Sequence, residues 1–356
     1  METPGIRRAR GAGTTYCSDT SGMPVLTGRR RMLLGLTAGA LALALGDARA
    51  QSAPWPNKPV KLIVAWPPGG GTDAIARPFA ERLSARLGQQ VVIENRGGAN
   101  AKIGTTLAQQ AAPDGYTFLF HSEMELPQVE LNAELTAKHL EFNPVKGMET
   151  VGLVGKGPYM LVAASSFQPN TLDELMAHAK ANPGKLNYGS FGTGSINHFL
   201  TELLALQAGF KAVAVPYQGA GPVLTALAGG QIDFAFLVPG ASMPLVKAGK
   251  LKAIAVLARE RLPNLPEVPT MAESGAPTLV GGSWYGMLAP AKTPQAIVAR
   301  MNAELMSMLG STEVREVFQR LNVLPVSSTP ADMAAYVEAE LTKRRKMAAF
   351  LKIDLE

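Results

Sequence analysis

The feature that most constrains the fold is a strand that runs through two prolines and three glycines directly into a helix. Lys61–Ala65 predicts an apolar strand, and the helical pattern of Thr72–Leu87 begins straight after Pro67–Gly71. The prolines stiffen this loop, while the glycines leave its backbone open to close approach. A helix N-terminus carries unpaired N–H groups and a partial positive charge. The junction therefore predicts an α/β arrangement with an anion site at the end of the first strand.

The first fifty residues have the pattern of a targeting segment. Arg29–Arg31 precede the apolar run Met32–Leu45, which ends at an Ala-x-Ala site, so the pattern predicts a secretory signal cleaved near Ala50. The run is too short to span a membrane. The paired arginines suit twin-arginine export, and a plain Sec signal is the alternative. The residues before Met23 resemble neither a signal nor a fold, so we expect translation to start at Met23.

Removing this segment changes what the composition says about partners. The segment holds seven of the 34 Lys and Arg but only three of the 28 Asp and Glu, which leaves 27 and 25 and lowers the net charge from +6 to +2. The charge therefore gives no reason to expect a nucleic-acid partner. Cys17, the only cysteine, is removed as well, which excludes disulfide and thiol chemistry from the mature chain. The 306 residues that follow suit two domains.

Strand-like and helical segments alternate through most of the remaining chain. This alternation predicts an α/β fold with parallel sheets. Thr171 is expected to cap a helix that begins with acidic residues. Two further helices are predicted to close the chain, one from Thr293-Pro294 through Leu309 and one from Thr329-Pro330 towards Phe350, because a proline after a threonine cap marks a helix start.

A second glycine-rich junction has the same design as the first. The loop Gly189–Ser195 joins a predicted strand to a helix that begins at Ile196. Ligands of open α/β sheets bind outside the carboxyl ends of the strands, so two such junctions in different halves of the chain predict a cleft between two domains. Each loop also has a purely structural interpretation: Asp73 could serve only the helix dipole, and His198 could simply bond to the loop before it.

Enzyme motifs are weak in this sequence. The glycines after Pro68 are not followed by Gly-Lys-Ser/Thr, and no Gly-x-Ser-x-Gly elbow occurs, which excludes a P-loop and a hydrolase elbow. The four histidines lack metal-ligand spacing, so neither a metal nor a cofactor is expected. Ser195 and His198 could form a triad with Asp73 or Asp233, but a triad is recognised by a geometry that sequence does not show. A binding protein is therefore favoured over an enzyme.

These segments, with others, resemble the Bug/TctC family, the periplasmic solute receptors of tripartite tricarboxylate transporters. The matching landmarks follow one order along nearly the whole mature chain: Trp55–Lys61, Pro67–Asp73, Val92–Arg96, Ala112–Thr117, Pro183–Tyr188, Gly192–Ser195 with His198, Val215–Tyr217, Gly230–Asp233, Ala248–Lys252 and Leu265–Thr270. Any one of these landmarks is common, but their combination in this order is highly specific.

The resemblance implies a two-domain type II periplasmic-binding-protein fold with a hinge and an interdomain ligand cleft. Domain 1 would comprise residues 54–154 and 284–356, and domain 2 residues 155–283. The hinge crossovers would lie near Gly155–Tyr159 and Gly281–Tyr285. The implied protein is a non-enzymatic, cofactor-free monomer of the periplasm. It would deliver a small carboxylate-bearing solute to membrane permease subunits. An orphan receptor that senses a ligand for a membrane kinase is the alternative, and a cleft enzyme is a more remote one.

The resemblance places the ligand carboxylate between the two glycine-rich loops. The expected ligand-binding residues are Trp66, Pro68, Gly69, Gly70, Thr72, Asp73, Ser122, Glu123, Ser190, Thr193, Gly194, Ser195, His198 and Tyr217. The sequence departs from the family at two places. His121–Glu125 replaces small polar residues, so Glu123 would face the amine of an amino-acid ligand, unless it points to solvent as acidic loop residues usually do. Leu237–Gly240 replaces an Asp-containing loop, which predicts a less polar second half of the cleft. Amino acids, aromatic acids and dicarboxylates are the candidate solutes.

Overall fold

Two β-sheets organise the part of the chain that the structure, a computed structural model, describes: residues 55–125 and 147–353. Both sheets belong to one compact unit that runs from Pro54 to Glu356. The predicted signal segment, its cleavage site near Ala50 and the expected start at Met23 lie outside the described residues, as do the side chains of residues 123–125.

The strands and helices follow one another as the alternating sequence pattern predicts. The strands are β1 (Val60–Val64), β2 (Val91–Asn95), β3 (Thr117–Glu125), β4 (Met148–Pro158), β5 (Met160–Ala164), β6 (Leu186–Ser190), β7 (Ala212–Pro216), β8 (Phe234–Leu237), β9 (Leu251–Val256), β10 (Gly282–Pro290) and β11 (Leu324–Pro325). The helices are α1 (Gly71–Leu87), α2 (Lys102–Gln109), α3 (Leu172–Ala181), α4 (Ile196–Ala208), α5 (Ala220–Ala228), α6 (Pro239–Lys247), α7 (Gln295–Leu309), α8 (Thr312–Leu321) and α9 (Pro330–Leu351).

Sheet A contains six strands in the order β11-β4-β10-β3-β1-β2. Strand β1 pairs in parallel with β2 and β3, so that Ile63 lies between Glu94 and Leu119. Strand β10 is antiparallel to both β3 and β4, and Tyr285 lies opposite Ser122. The prediction of parallel sheets is therefore wrong for the pairings of β10 with β3 and β4, and β11 is also antiparallel to β4. Strand β10 follows β9 of the other sheet without an intervening helix, so no βαβ crossover within sheet A sets its direction.

Sheet B contains five strands in the order β7-β6-β8-β5-β9. Strand β6 pairs in parallel with β7 and β8, and β5 is antiparallel to β8 and β9, so the prediction of parallel sheets is wrong for β5 as well. A single residue, Tyr159, separates β4 of sheet A from β5 of sheet B. The mixed α/β architecture with two sheets confirms the predicted fold class.

Both faces of each sheet are covered. In β1, Leu62 packs beneath α1, α7 and α8, while its neighbour Ile63 packs beneath α2 and α9. This two-sided burial explains why β1 is apolar at successive positions and does not alternate. In sheet B, Leu161 faces α3 and α4, and Val162 faces α5.

The last helix joins the two cores. Met333 and Val337 of α9 pack on sheet A, whereas Met347 and Ala348, near its other end, pack in the core of sheet B. Among the residues that the structure describes, no helix has both the length and the apolar character of a membrane span.

Helix caps test the sequence interpretation at particular residues. The Thr171 hydroxyl accepts a hydrogen bond from the N–H of Glu174, and Thr329 forms a capping box with Asp332, as predicted. Thr293 does not cap α7, because its hydroxyl donates to the carbonyl of Pro290 and Pro294 takes the N-cap position. Helix α8 was not predicted.

Candidate functional site

A cavity lies where loops and strand ends of the two sheets face each other. Sheet A contributes the β1–α1 loop, the end region of β3 and the first half of β10. The opposite wall comes from the β4–β5 link, the ends of β6 and β8, and the start of α5. The lining residues are Trp66, Pro67, Gly70, Gly71, Thr72, Ser122, Tyr159, Phe191, Ala220, Leu237, Val238, Ser283 and Tyr285. The cavity volume is about 40 Å³.

The N-terminus of α1 opens into this cavity without a side-chain cap. Gly70 is the N-cap residue and has an extended conformation. It has no side chain that could accept a hydrogen bond from the first turn of α1. The N–H groups of Gly71 and Thr72 have no acceptor within the helix, because the first turn of any α-helix lacks preceding carbonyls. Both residues line the cavity, so the positive end of the helix dipole lies at its wall.

Asp73 is buried and stabilises the β1–α1 loop through hydrogen bonds. Its carboxylate is 3% exposed and accepts hydrogen bonds from Gly69 N at 3.0 Å, Arg77 Nε at 2.8 Å and Asn95 Nδ2 at 2.9 Å. Asn95 also donates to the carbonyl of Trp66 at 3.0 Å. Burial acts to raise the pKa of Asp73, but the hydrogen bonds from Arg77, Gly69 and Asn95 outweigh it and hold the pKa below its ordinary value. These contacts favour the structural interpretation of Asp73.

Hydroxyl groups supply the polar part of the lining. The hydroxyls of Thr72 and Ser122 are 2.6 Å apart, and Ser283 donates to the phenol oxygen of Tyr159 at 3.2 Å. Burial raises the pKa of Tyr285, so its phenol keeps its proton throughout the neutral range. Within the described residues, no charged side chain lines the cavity. An anion there would meet hydroxyl and backbone N–H donors.

Apolar groups form the rest of the lining. The rings of Trp66 and Phe191 approach from opposite sheets, with their centroids 5.6 Å apart. Leu237 and Val238 follow from the end of β8, where the sequence predicted a less polar half of the cleft. The cavity therefore combines donors on one side with hydrocarbon on the other, which suits a short carbon skeleton that ends in an anionic group.

The second glycine-rich loop uses its polar groups internally. Ser195 Oγ accepts the N–H of Phe191 at 3.2 Å, and His198 Nδ1 accepts the N–H of Gly194 at 3.1 Å. The carbonyl of Gly194 accepts a hydrogen bond from Arg344 of α9 at 2.9 Å, and that arginine is buried. This loop is thus tied to its own helix and to the helix that bridges the two sheets.

The structure does not bring Ser195 and His198 together with Asp73 or Asp233 as a catalytic triad, which the sequence had left as an alternative. Burial lowers the pKa of His198, against a smaller opposing effect of the Glu202 carboxylate, so the imidazole is neutral and accepts through Nδ1. Ser195 Oγ accepts from a backbone N–H, and Asp233 accepts the N–H of Asn187 at 2.7 Å. Among the described residues, no group of three metal-ligating side chains comes together either.

The predicted ligand-binding residues divide into two groups. Those that line the cavity are Trp66, Gly70, Thr72 and Ser122. Those that lie outside its lining are Pro68, Gly69, Asp73, Ser190, Thr193, Gly194, Ser195, His198 and Tyr217. The backbone of Glu123 pairs with Trp284, but its side chain lies outside the described residues, so its orientation stays a prediction. The contacts of these residues with a ligand stay predictions.

Sequence reasoning did not predict the ligand contacts of the two crossovers. Tyr159, Ser283 and Tyr285 belong to the two crossovers that were predicted as hinges but not as ligand contacts. The signal that could have found them is position: a crossover between two sheets passes the mouth of the cleft. His121, next to Ser122, packs instead against Trp284 on the other face of the sheet, with ring centroids 5.8 Å apart.

Comparisons with known proteins place this geometry among receptors. The sequence profile described as TctC, "Tripartite tricarboxylate transporter family receptor", matches residues 75–352. Protein BugT of Bordetella pertussis is 34% identical over 289 residues, which cover 81% of this chain and 88% of that protein.

Solved structures with the same fold include two from Rhodopseudomonas palustris. MatC with bound malate is 31% identical with a TM-score of 0.74, and the match covers 82% of this chain and 99% of that one. An R. palustris protein solved with adipate is 33% identical with a TM-score of 0.77, and the match covers 84% of this chain and 99% of that one.

Proposed function

Because this chain belongs to the tripartite tricarboxylate transporter receptor family, we propose that its cavity captures a small carboxylate-bearing solute in the periplasm for delivery to membrane permease subunits. The observation that carries the proposal is the uncapped N-terminus of α1, which opens into a cavity lined by hydroxyls and by no charged side chain among the described residues. Such a terminus favours an anion through both its N–H groups and its dipole.

The carboxylate is proposed to lie at the first turn of α1. Its oxygens would accept hydrogen bonds from the N–H groups of Gly71 and Thr72 and from whichever hydroxyl of the Thr72–Ser122 pair does not donate to the other. Hydrogen bonds to an ionised acceptor are about twice as strong as those between neutral groups. A neutral amide or ester of the same acid would lose both the charge and this advantage.

The carbon skeleton is proposed to lie against Trp66, Phe191 and Val238. The malate and adipate in the related structures show acids of this general kind in the same fold. The small volume of the cavity favours a short acid, and the candidate classes remain amino acids, aromatic acids and dicarboxylates.

Capture requires the cleft to open and close. We propose that residues 54–154 with 284–356 move as one body and residues 155–283 as the other, about the crossovers beside Tyr159 and Ser283. Met347 and Ala348, near the end of α9, stay packed in the core of sheet B, so α9 links the two bodies. The receptor acts as a monomer without a cofactor and catalyses no reaction on its ligand. Export through the signal before Ala50 would place it in the periplasm.

Calorimetry tests the proposal. The purified mature chain is titrated with malate, adipate, aspartate and benzoate, and with the neutral amide of each acid. We expect at least one acid to bind with a dissociation constant in the micromolar range or below, and its amide to bind at least about tenfold more weakly, a difference of about 1.4 kcal/mol. Equal affinity for an acid and its amide, or no binding by any acid, would contradict the proposed site.

Delivery needs a separate experiment. Uptake of the labelled acid is compared in cells with and without the receptor, in a host that carries the permease subunits. Uptake that depends on the receptor supports transport, and uptake that is independent of it contradicts the transport role.

A further inference from the structure

Of the two glycines that line the cavity, Gly71 has the less room for a side chain. It is the first residue of α1, on the sheet A wall, and it faces Val238, the N-cap residue of α6, on the opposite wall. A Cβ atom at Gly71 would overlap Cγ2 of Val238, so that one of the two residues would have to shift. A Cβ atom at the preceding Gly70 would meet nothing closer than 3.6 Å, an ordinary van der Waals contact.

The backbone of Gly71 does not itself require glycine. The residue is helical and is absent from the residues with positive φ, whereas Gly69 in the same loop has a φ of 80°. Alanine is the better helix former at such a position, so the local conformation favours a side chain there. The contact with Val238 is therefore the physical reason that this position excludes one.

Val238 and Tyr285 both lie beside the first residue of α1. The Cβ position of Gly71 lies against Cγ2 of Val238 and is 3.9 Å from the phenol oxygen of Tyr285. A side chain at position 71 would therefore meet the opposite wall at the end of the helix where the anion is proposed to bind.

We propose that Gly71 and Val238 act as a steric pair that lets the two walls meet over the ligand, with Gly71 as a positioning residue for closure. The inference rests on the proposed function, because it assumes that the ligand is held between these walls. A side chain at position 71 would hold the walls apart, and the apparent affinity would fall with the fraction of molecules that can close.

A double-mutant cycle tests the pair. With the acid that binds the wild-type chain best, we expect Gly71→Ala to weaken binding by about tenfold or more and Val238→Ala to weaken it by about threefold or less. The double variant should bind within about threefold of Val238→Ala, because the shorter side chain makes room for the added methyl group. Additive losses, or wild-type affinity for Gly71→Ala, would overturn the proposal.

Gly310→Ala is the matched control. Gly310 follows α7 in a helical conformation (φ −75°, ψ −16°), and a Cβ atom there would meet nothing closer than 3.5 Å. This variant should retain wild-type affinity, which shows that a glycine-to-alanine change by itself has no effect. Urea denaturation of each variant establishes that it is folded.

Crystal structures test the Gly71–Val238 pair independently of the proposed function. The distance between the Cα atoms of residues 71 and 238 is measured in the wild-type chain and in Gly71→Ala, whichever acids bind. We expect this distance to be larger in the variant. An unchanged distance, with Val238 simply rotated to a new rotamer, would overturn the steric pair even if the wild-type chain binds an acid tightly. Failure of every acid to bind would contradict the proposed function, while a widened distance would still support the pair.

Discussion

The two glycine-rich loops look alike in sequence and do different things in the structure. The loop before α1 leaves the helix N-terminus without a cap and lines the cavity with backbone at Gly70 and Gly71. In the loop before α4, Ser195 and His198 accept the N–H groups of Phe191 and Gly194, much as Asp73 accepts the N–H of Gly69 in the first loop, and the N-terminus of α4 also lacks a side-chain cap. The second loop contributes only the ring residue Phe191 to the cavity lining. The two loops therefore differ in what they present to the cavity, and not in their glycines or in their caps.

The largest effect is expected when the buried hydrogen bonds that hold the first loop are removed. Asp73→Ala takes away a buried carboxylate that accepts from Gly69, Arg77 and Asn95, and we expect the free energy of unfolding to fall by about 3 kcal/mol. Urea denaturation measures the change. Asp173→Ala, an exposed acidic residue in the first turn of α3, is the control and should cost less than about 1 kcal/mol. Equal losses in the two variants would show that Asp73 acts only through the helix dipole.

The second loop should depend in the same way on α9. Arg344→Met removes the charged donor to the buried carbonyl of Gly194, and we expect a loss of about 2 kcal/mol in the free energy of unfolding, with faster hydrogen exchange in that loop. Arg345→Met is the control, because the ion pair of Arg345 with Glu338 at 3.5 Å is exposed and should contribute about 1 kcal/mol or less. Unaltered exchange in Arg344→Met would mean that the loop does not need α9.

A smaller effect is expected from a single hydroxyl in the cavity. Ser122→Ala removes one member of the pair with Thr72, and a lost hydrogen bond of about 1 kcal/mol would weaken acid binding about fivefold. Calorimetry gives the affinity. Thr225→Ala, which removes an exposed hydroxyl on α5, should leave the affinity unchanged. Unchanged binding in Ser122→Ala would place the carboxylate away from this pair.

The smallest expected effect is a difference between the two loops in the pH at which each one loses stability. The pKa of His198 is lowered from 6.5, so its neutral form stabilises the fold above that value, and this contribution is lost as the pH falls through the lower folded-state pKa. Protonation also turns the Nδ1 acceptor of the Gly194 N–H into a donor. The pKa of Asp73 is lowered from 3.8, so its contribution should persist until the solution is more acidic than that.

Amide hydrogen exchange measures this separation. Between pH 6.5 and pH 4, protection of Gly194 should fall after correction for the intrinsic rate, while protection of Gly69 should hold. In His198→Asn the pH dependence at Gly194 should disappear. Loss of protection at both loops at the same pH would show that they unfold together.

Local patterns in the sequence were enough to predict most of the elements. The strand at Lys61–Ala65 and the helix that follows it appear as β1 and α1, and the threonine caps at Thr171 and Thr329 are present. Thr293 has the same Thr-Pro pattern as Thr329, yet its hydroxyl bonds backwards to Pro290. The choice between these two hydrogen bonds depends on the chain that precedes the helix, which the Thr-Pro pattern does not contain.

The cavity was harder to predict, because its walls come from segments that are distant in the sequence. Trp66 and Thr72 belong to one short motif and could be found from it. Tyr159 and Tyr285 come from two crossovers that meet only when the antiparallel register of β10 with β3 and β4 is set. Ser195 lies outside the cavity lining and accepts the N–H of Phe191, so its contact with a ligand stays a prediction.

Helix α9 also restricts how the molecule can move. It has 22 residues, which makes it a rod about 33 Å long, and it packs in the core of sheet A near one end and in the core of sheet B near the other. A rod that is fixed in both cores resists being pulled apart lengthwise, but it allows one core to turn relative to the other about its own axis. Motion between the two sheets should therefore be a torsion about α9, with the strand link at Tyr159 as its second point of support.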